Sequence, residues 1–77
     1  MEIKIELMGS LVDYHPKAKD GEFEITIKDR SSISDLLKFL KIKRKVVVSV
    51  NGDEEKGLDS ILSTGDEILI FTVMSGG

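Results

Sequence analysis

The spacing of hydrophobic residues constrains this fold most, because it switches from a strand period to a helix period and back within 77 residues. Over residues 2–8, Ile3, Ile5 and Leu7 alternate with charged side chains, which is typical of a half-buried β-strand. The same alternation recurs over residues 22–28. We therefore predict two N-terminal strands, with one helical turn near residues 11–14 in the long loop that joins them.

A helical period follows the second predicted strand. Four apolar residues at i, i+3, i+4 and i+7 line a single helical face, namely Ile33, Leu36, Leu37 and Leu40. Ser32 is the predicted N-cap, and Asp35 stands where an acid favours the positive end of the helix dipole. Five basic residues come next, Lys38, Lys41, Lys43, Arg44 and Lys45. We interpret them as a solvated helix end rather than as a binding site, because cations complement the last turn.

Two further strands are predicted in the C-terminal half. A β-branched run over residues 46–50 ends at Asn51 and Gly52, a pair that favours a tight turn. Because this run is apolar on both faces, we predict a strand central in the sheet. Leu58, Ile61 and Leu62 have the spacing of a short helical turn, and Gly65 with Asp66 forms a turn into the last strand, residues 67–73.

The predicted order is strand, strand, helix, strand, strand, in a chain long enough for one domain only. A hairpin followed by a right-handed crossover helix should place the third strand parallel to a neighbour. The prediction is an α+β fold of the β-grasp (ubiquitin-like) type, spanning residues 1–77. Its four-stranded mixed sheet carries one main helix packed on one face.

Composition excludes several classes of function. The sequence contains no cysteine and a single histidine, His15, so it offers no thiol nucleophile, and we expect no metal site and no bound cofactor. A net charge of −3 is the wrong sign for binding a phosphate backbone, so nucleic acid is not an expected partner. No stretch is apolar enough to cross a bilayer or resembles a signal peptide, so we expect a cytoplasmic protein without a membrane partner.

The chain ends in Met74, Ser75, Gly76 and Gly77, which we predict to form a flexible tail over residues 74–77. Glycine has no Cβ, so an extended pair of glycines can enter a channel too narrow for other residues and present its carboxylate there. Glycine is also common in frayed termini, and the tail alone does not separate these two interpretations.

Three segments together carry a resemblance to a known family: residues 65–71, residues 50–52, and the terminal pair Gly76 and Gly77. With them the whole chain resembles the ubiquitin-like sulfur carriers, which include the small subunit of molybdopterin synthase and the thiamine-pathway carrier. Residues 7–14 and the long first loop look more like the molybdopterin branch. That branch often has arginine where this chain has Val12, and proline where it has Thr72 and Val73.

The resemblance implies a carrier rather than an enzyme. A partner adenylating enzyme would use ATP to activate the Gly77 carboxylate, and a sulfur donor protein would convert it to a thiocarboxylate. In the molybdopterin branch, the large subunit of molybdopterin synthase would then receive the sulfur. The alternatives are a carrier for thiamine synthesis or tRNA thiolation, an archaeal-type modifier conjugated to proteins through Gly77, and an interaction module with an inert tail.

The last predicted strand has apolar residues on both faces, although one helix covers only one face of the sheet. By analogy with the family, Ile68 and Ile70 should point inward. Val47, Leu69 and Phe71 would then form a partner interface on the open face, and Met74 in the tail would continue it. The alternative is that the loop over residues 9–21 folds across this face and buries it.

Overall fold

The computed structural model describes residues 1–15, 20–54 and 56–72. Its regular elements are β1 (Glu2–Leu7), a 3₁₀ helix (Gly9–Tyr14), β2 (Glu22–Thr26), α1 (Ile33–Phe39), β3 (Val47–Val50) and β4 (Glu67–Phe71).

The four strands form one mixed sheet in the order β2-β1-β4-β3. β1 pairs with β2 in antiparallel orientation and with β4 in parallel orientation. β3 pairs with β4 in antiparallel orientation. This sheet and α1 confirm the predicted β-grasp architecture.

The predicted position of the third strand is wrong. β3 lies at the edge of the sheet and is antiparallel to β4, so the strand that runs parallel to a neighbour is β4, beside β1. After α1 the chain forms β3 at the edge of the sheet opposite β2. The central position between β1 and β3 is then occupied by β4. The run of valines reflects burial of Val48 and Val50 against the core, while Val46 and Val47 remain partly exposed.

The core lies between α1 and the inward face of the sheet. Its most deeply buried side chains come from both central strands, from α1 and from the 3₁₀ helix: Ile3, Ile5, Leu7, Leu11, Ile33, Leu36, Ile68 and Ile70. The predicted helical turn in the first loop is confirmed as part of this 3₁₀ helix, and Leu11 anchors it. A helical turn was also predicted over residues 58–62, and this prediction is wrong. That segment forms turns and an isolated bridge from Ile61 to Ser32, and only Leu62 among its three apolar residues is buried.

A capping box begins α1. The amide of Asp35 donates to Oγ of Ser32 at 3.1 Å, and the amide of Ser32 donates to the Asp35 carboxylate at 3.0 Å. The backbone hydrogen bond from Ser32 is the main cause that lowers the pKa of Asp35 below its ordinary value. The Ser32 hydroxyl and the charge of Lys38 add to it. The folded state therefore prefers the ionised carboxylate.

We expect Asp35→Asn to lower the melting temperature at neutral pH, because it removes a charge that the folded state binds favourably. The wild type should have its full advantage in melting temperature above the pKa of Asp35 in the unfolded chain, about 3.9. This advantage should disappear as the pH falls through the lowered pKa of Asp35 in the folded protein. Thermal melts of both proteins between neutral and strongly acidic pH measure this. A difference in melting temperature that stays constant into acid would contradict the proposed role of the carboxylate.

Gly21 closes the connection from β1 into β2 at a position where no side chain fits. It is buried, with a φ of +78°, and the amide of Leu7 donates to its carbonyl oxygen at 2.9 Å. A Cβ added at Gly21 would overlap the carbonyl oxygen of Leu7, which is backbone and cannot rotate away. Gly9 also has a positive φ, +61°, but a Cβ there meets open space.

Gly21→Ala should therefore lower the free energy of unfolding by about 3 kcal/mol or more, the sum of backbone strain and steric overlap. Gly9→Ala is the matched control, since it carries the strain without the overlap and should cost only about 1 kcal/mol. Urea unfolding of the two variants measures the difference. Equal losses would show that the approach to Leu7 is not restrictive.

Candidate functional site

The sheet has one face buried against α1, and in the described part of the chain no helix covers its other face, which we call the open face. On β4, Ile68 and Ile70 are 2% and 0% exposed and join the same buried cluster as Leu36 of α1. Leu69 and Phe71 alternate with them and remain partly exposed. The predicted inward and outward sets of β4 are thus confirmed, and the open face carries Leu69 and Phe71.

The strand register brings the three predicted interface residues of the sheet together. Val47 lies directly opposite Phe71 in the β3–β4 pair, and Leu69 is two residues from Phe71 on the same face. All three are partly exposed. The structure therefore places them side by side, while their part in binding a partner stays a prediction.

Met8 extends this group, and the sequence analysis did not identify it. It is 46% exposed, and its extended backbone (φ −108°, ψ 149°) continues the alternation of β1 beyond Leu7, so it shares a face with Glu6. Its amide donates to the carbonyl oxygen of Ile70 at 3.1 Å, which places it next to Phe71. Continuation of the alternation from Glu6 to Met8 was the available signal. We refer to Met8, Val47, Leu69 and Phe71 as the apolar patch.

The described part of the first loop does not bury the apolar patch. Leu11 enters the core rather than crossing the open face, and Leu69 and Phe71 keep part of their surface in solvent. Two contacts hold the described part of the loop: Arg44 donates to Oγ of Ser10 at 2.8 Å, and the His15 ring stacks on the Phe23 ring with 3.9 Å between the ring centroids. His15 is partly buried.

Towards β2 the same face changes from apolar to acidic. Glu22 pairs with Glu6, and Glu6 pairs with Leu69, so one row across the sheet runs from two carboxylates to the apolar patch. In the next row, Lys4 lies between Glu24 and Glu67. We refer to Glu6, Glu22, Glu24 and Glu67 as the acidic half of the open face. A shallow groove runs over it, and Asp20 also lines the groove.

Side-chain hydrogen bonds join the turn that follows β3 to the turn that precedes β4. Nδ2 of Asn51 donates to the Asp66 carboxylate at 3.0 Å, and the amide of Ser63 donates to the same carboxylate at 2.8 Å. Oδ1 of Asn51 accepts from the amide of Glu67 at 2.9 Å. Asn51 has a φ of +52°, a conformation that asparagine tolerates better than most residues. This network fixes the register of β3 on β4 and therefore the pairing of Val47 with Phe71.

The predicted tail residues Met74, Ser75, Gly76 and Gly77 lie outside the described residues. β4 ends at Phe71, inside the apolar patch, and the sequence continues through residues 73–77 after Thr72. The roles assigned to the four tail residues stay predictions.

Within residues 1–15, 20–54 and 56–72, no group of three histidine or carboxylate side chains is arranged to hold a metal ion. No helix in the same ranges is long and apolar enough to span a bilayer.

A sequence profile of the ThiS family matches residues 6–77, which is nearly the whole chain. The chain belongs to the ThiS family. Among proteins with curated descriptions, none matches this ThiS-family chain significantly in sequence.

Solved structures agree with the family in fold. SAMP1 from Haloferax volcanii superposes with a TM-score of 0.77 at 17% identity, covering 100% of both chains. A putative molybdopterin converting factor subunit 1 from Pyrococcus furiosus has a TM-score of 0.77 at 19% identity, covering 95% of this chain and 99% of that one. A complex of subunits 1 and 2 of the molybdopterin-converting factor from Helicobacter pylori gives a TM-score of 0.64 at 19% identity, with 100% of both chains covered. At these identities the likeness establishes the fold, which is that of the ubiquitin-like sulfur carriers and modifiers.

The two faces of β4 should respond differently to a charge. Ile70→Asp places a carboxylate in a site that is 0% exposed, so this variant should not fold at room temperature. Phe71→Asp leaves its carboxylate at the surface and should lower the free energy of unfolding by less than about 2 kcal/mol. Circular dichroism and urea unfolding of both variants measure this. If Phe71→Asp were also unfolded, Phe71 would belong to the core and not to a docking face.

Proposed function

We propose that this ThiS-family protein is a sulfur carrier whose C-terminal Gly77 is activated as an acyl adenylate and then converted to a thiocarboxylate by partner proteins. The observation that carries the proposal is the family match, which extends to residue 77 and so includes the Gly76–Gly77 end. The position of β4 supports it, because this strand carries Leu69 and Phe71 of the apolar patch and ends six residues before Gly77 in the sequence.

The chemistry requires activation because a carboxylate is a poor electrophile. An oxygen of the Gly77 carboxylate attacks the α-phosphorus of ATP, and pyrophosphate leaves. A sulfur donor at the oxidation level of sulfide then attacks the acyl carbon, and AMP leaves. The glycine end suits these steps, since a chain without side chains can reach a narrow active site in any backbone conformation.

The catalytic groups and the sulfur would come from partners. The sequence has no cysteine, and its single histidine stacks on Phe23 at the edge of the sheet. ATP would bind to the adenylating enzyme rather than to this chain. The protein would thus act as a reactant that is consumed and regenerated, not as an enzyme.

We propose the apolar patch as the surface that docks the adenylating enzyme and holds the tail at its active site. Four apolar side chains that keep part of their surface in solvent, beside the acidic half of the same face, are typical of a protein-binding surface. Met74 would extend this surface into the tail.

Within this function, we favour delivery of sulfur to the large subunit of a molybdopterin synthase. The resemblance of residues 7–14 to the molybdopterin branch supports this choice. The Helicobacter pylori protein of the same fold forms a complex of subunits 1 and 2 of the molybdopterin-converting factor. Thiamine synthesis and tRNA thiolation would use the same charged Gly77 with a different acceptor.

The second candidate function is protein modification through an isopeptide bond from Gly77 to lysines. The fold shared with SAMP1 from Haloferax volcanii favours it, because SAMP1 is small archaeal modifier protein 1 of that organism. The two functions use the same activated glycine but leave different products.

Intact mass spectrometry of the protein isolated from its host should reveal the mass increase expected when one oxygen is replaced by sulfur. The matched variant lacks Gly77 and should keep its unmodified mass while folding normally, because residue 77 lies beyond the last strand. Incubation with the host adenylating enzyme, ATP and hydroxylamine should trap the wild-type chain as a C-terminal hydroxamate.

The possible outcomes separate the functions. A ladder of heavier species on denaturing gels, lost when Gly77 is deleted, would favour protein modification. No hydroxamate with the wild-type chain would contradict activation of the tail and would favour an interaction module with an inert end.

A further inference from the structure

We propose that the open sheet face is a two-part docking surface, in which the acidic half beside the apolar patch receives an arginine or lysine from the adenylating enzyme. This inference rests on the proposed function, and it adds the chemistry by which the carrier would select its partner. Binding of the two parts would be simultaneous, because Glu6 and Leu69 are neighbours in one row of the sheet.

The first argument is a like-charge pair built into the strand register. Glu6 and Glu22 lie directly opposite each other on β1 and β2, on the same face. Side chains in such pairs have Cβ atoms about 5 Å apart, and like charges at this distance destabilise a sheet. The free protein therefore carries a repulsion that a cation placed between the two carboxylates would remove.

The second argument is the charge of the described residues around the groove. Among residues 1–15, 20–54 and 56–72, no lysine or arginine lies within ion-pair distance of Glu6, Glu22 or Glu24, and the N-terminus forms an ion pair with Asp29. Of the described residues that line the groove, the lysine is Lys4, which lies between two glutamates. The described lining of the groove therefore has an excess of negative charge.

The third argument is the position of Glu6. It is partly buried between Glu22 and Leu69, so it is less well solvated than the exposed carboxylates around it. A charge at such a site interacts more strongly with an incoming cation than a fully solvated one does. A guanidinium suits the site best, because the N–H groups at its edges can bond both carboxylates while its flat face and aliphatic stem contact the apolar patch.

The matched test compares two double variants that remove the same charge. Glu6→Gln with Glu22→Gln neutralises the opposed pair, whereas Glu54→Gln with Asp59→Asn neutralises two exposed carboxylates in the loop between β3 and β4. The assay is ATP–pyrophosphate exchange by the host adenylating enzyme, with the full-length carrier as substrate. Unfolding in urea is measured in parallel.

We expect the Glu6 and Glu22 variant to raise the KM for the carrier about tenfold with little change in kcat, because rim charges act mainly on association. The control variant should stay within about twofold. The wild-type KM should also rise with salt as the screening length shortens to about 8 Å at physiological ionic strength, whereas the KM of the Glu6 and Glu22 variant should respond less. Its stability should be unchanged or higher, since a repulsion is removed.

Equal effects of the two double variants would overturn the inference, because net charge alone would then explain them. An unchanged KM in the Glu6 and Glu22 variant would overturn it as well, and both outcomes would leave the carrier function intact. Absence of exchange with the wild-type chain would instead contradict the carrier function and this inference with it. Salt-sensitive self-association of the wild type that disappears in the Glu6 and Glu22 variant would assign the acidic half to a second copy and overturn the inference.

Discussion

Parallel pairing of β1 with β4 is the interaction on which the rest of this structure depends. It joins the first and last regular segments of the chain and places Ile5 beside Ile68 and Leu7 beside Ile70 at the centre of the sheet. These side chains are at most 2% exposed. Because the two outer strands pair only with this central pair, both β2 and β3 take their positions from it.

The open face is a consequence of that arrangement. Among the described residues, one seven-residue α-helix covers one side of the four-stranded sheet. The side chains that the strand alternation places on the other side are at least partly exposed, except for the buried Ser49. On that side β4 carries Leu69 and Phe71 after Glu67, β3 carries Val47 and Ser49, and β2 and β1 carry mostly acidic side chains. The core and the open face therefore have the same origin, since each strand contributes one set of side chains to each.

The turn after β3 and the turn before β4 determine the register of these two strands, and the register determines which side chains are neighbours on the open face. Asn51 and Asp66 are 15 residues apart in sequence but share a hydrogen bond, so the start of β4 is held against the end of β3. A register shift of one residue would move every β3 side chain to the other face. The network therefore protects both the buried positions Val48 and Val50 and the pairing of Val47 with Phe71.

The sequence by itself determined the four strands and the main helix, the inward faces of β1 and β4, the N-cap at Ser32 and the family, because these follow from local periodicity and short motifs. It also identified Val47, Leu69 and Phe71 as neighbours on one face, through alternation and the family resemblance. Only the tertiary structure decided that β3 is an edge strand, that residues 58–62 form turns, and that Met8 joins the apolar patch. It also decided that Glu6 faces Glu22. These features depend on which strands become neighbours and in what register, and long-range pairing is set by the packing of the whole core rather than by any single segment.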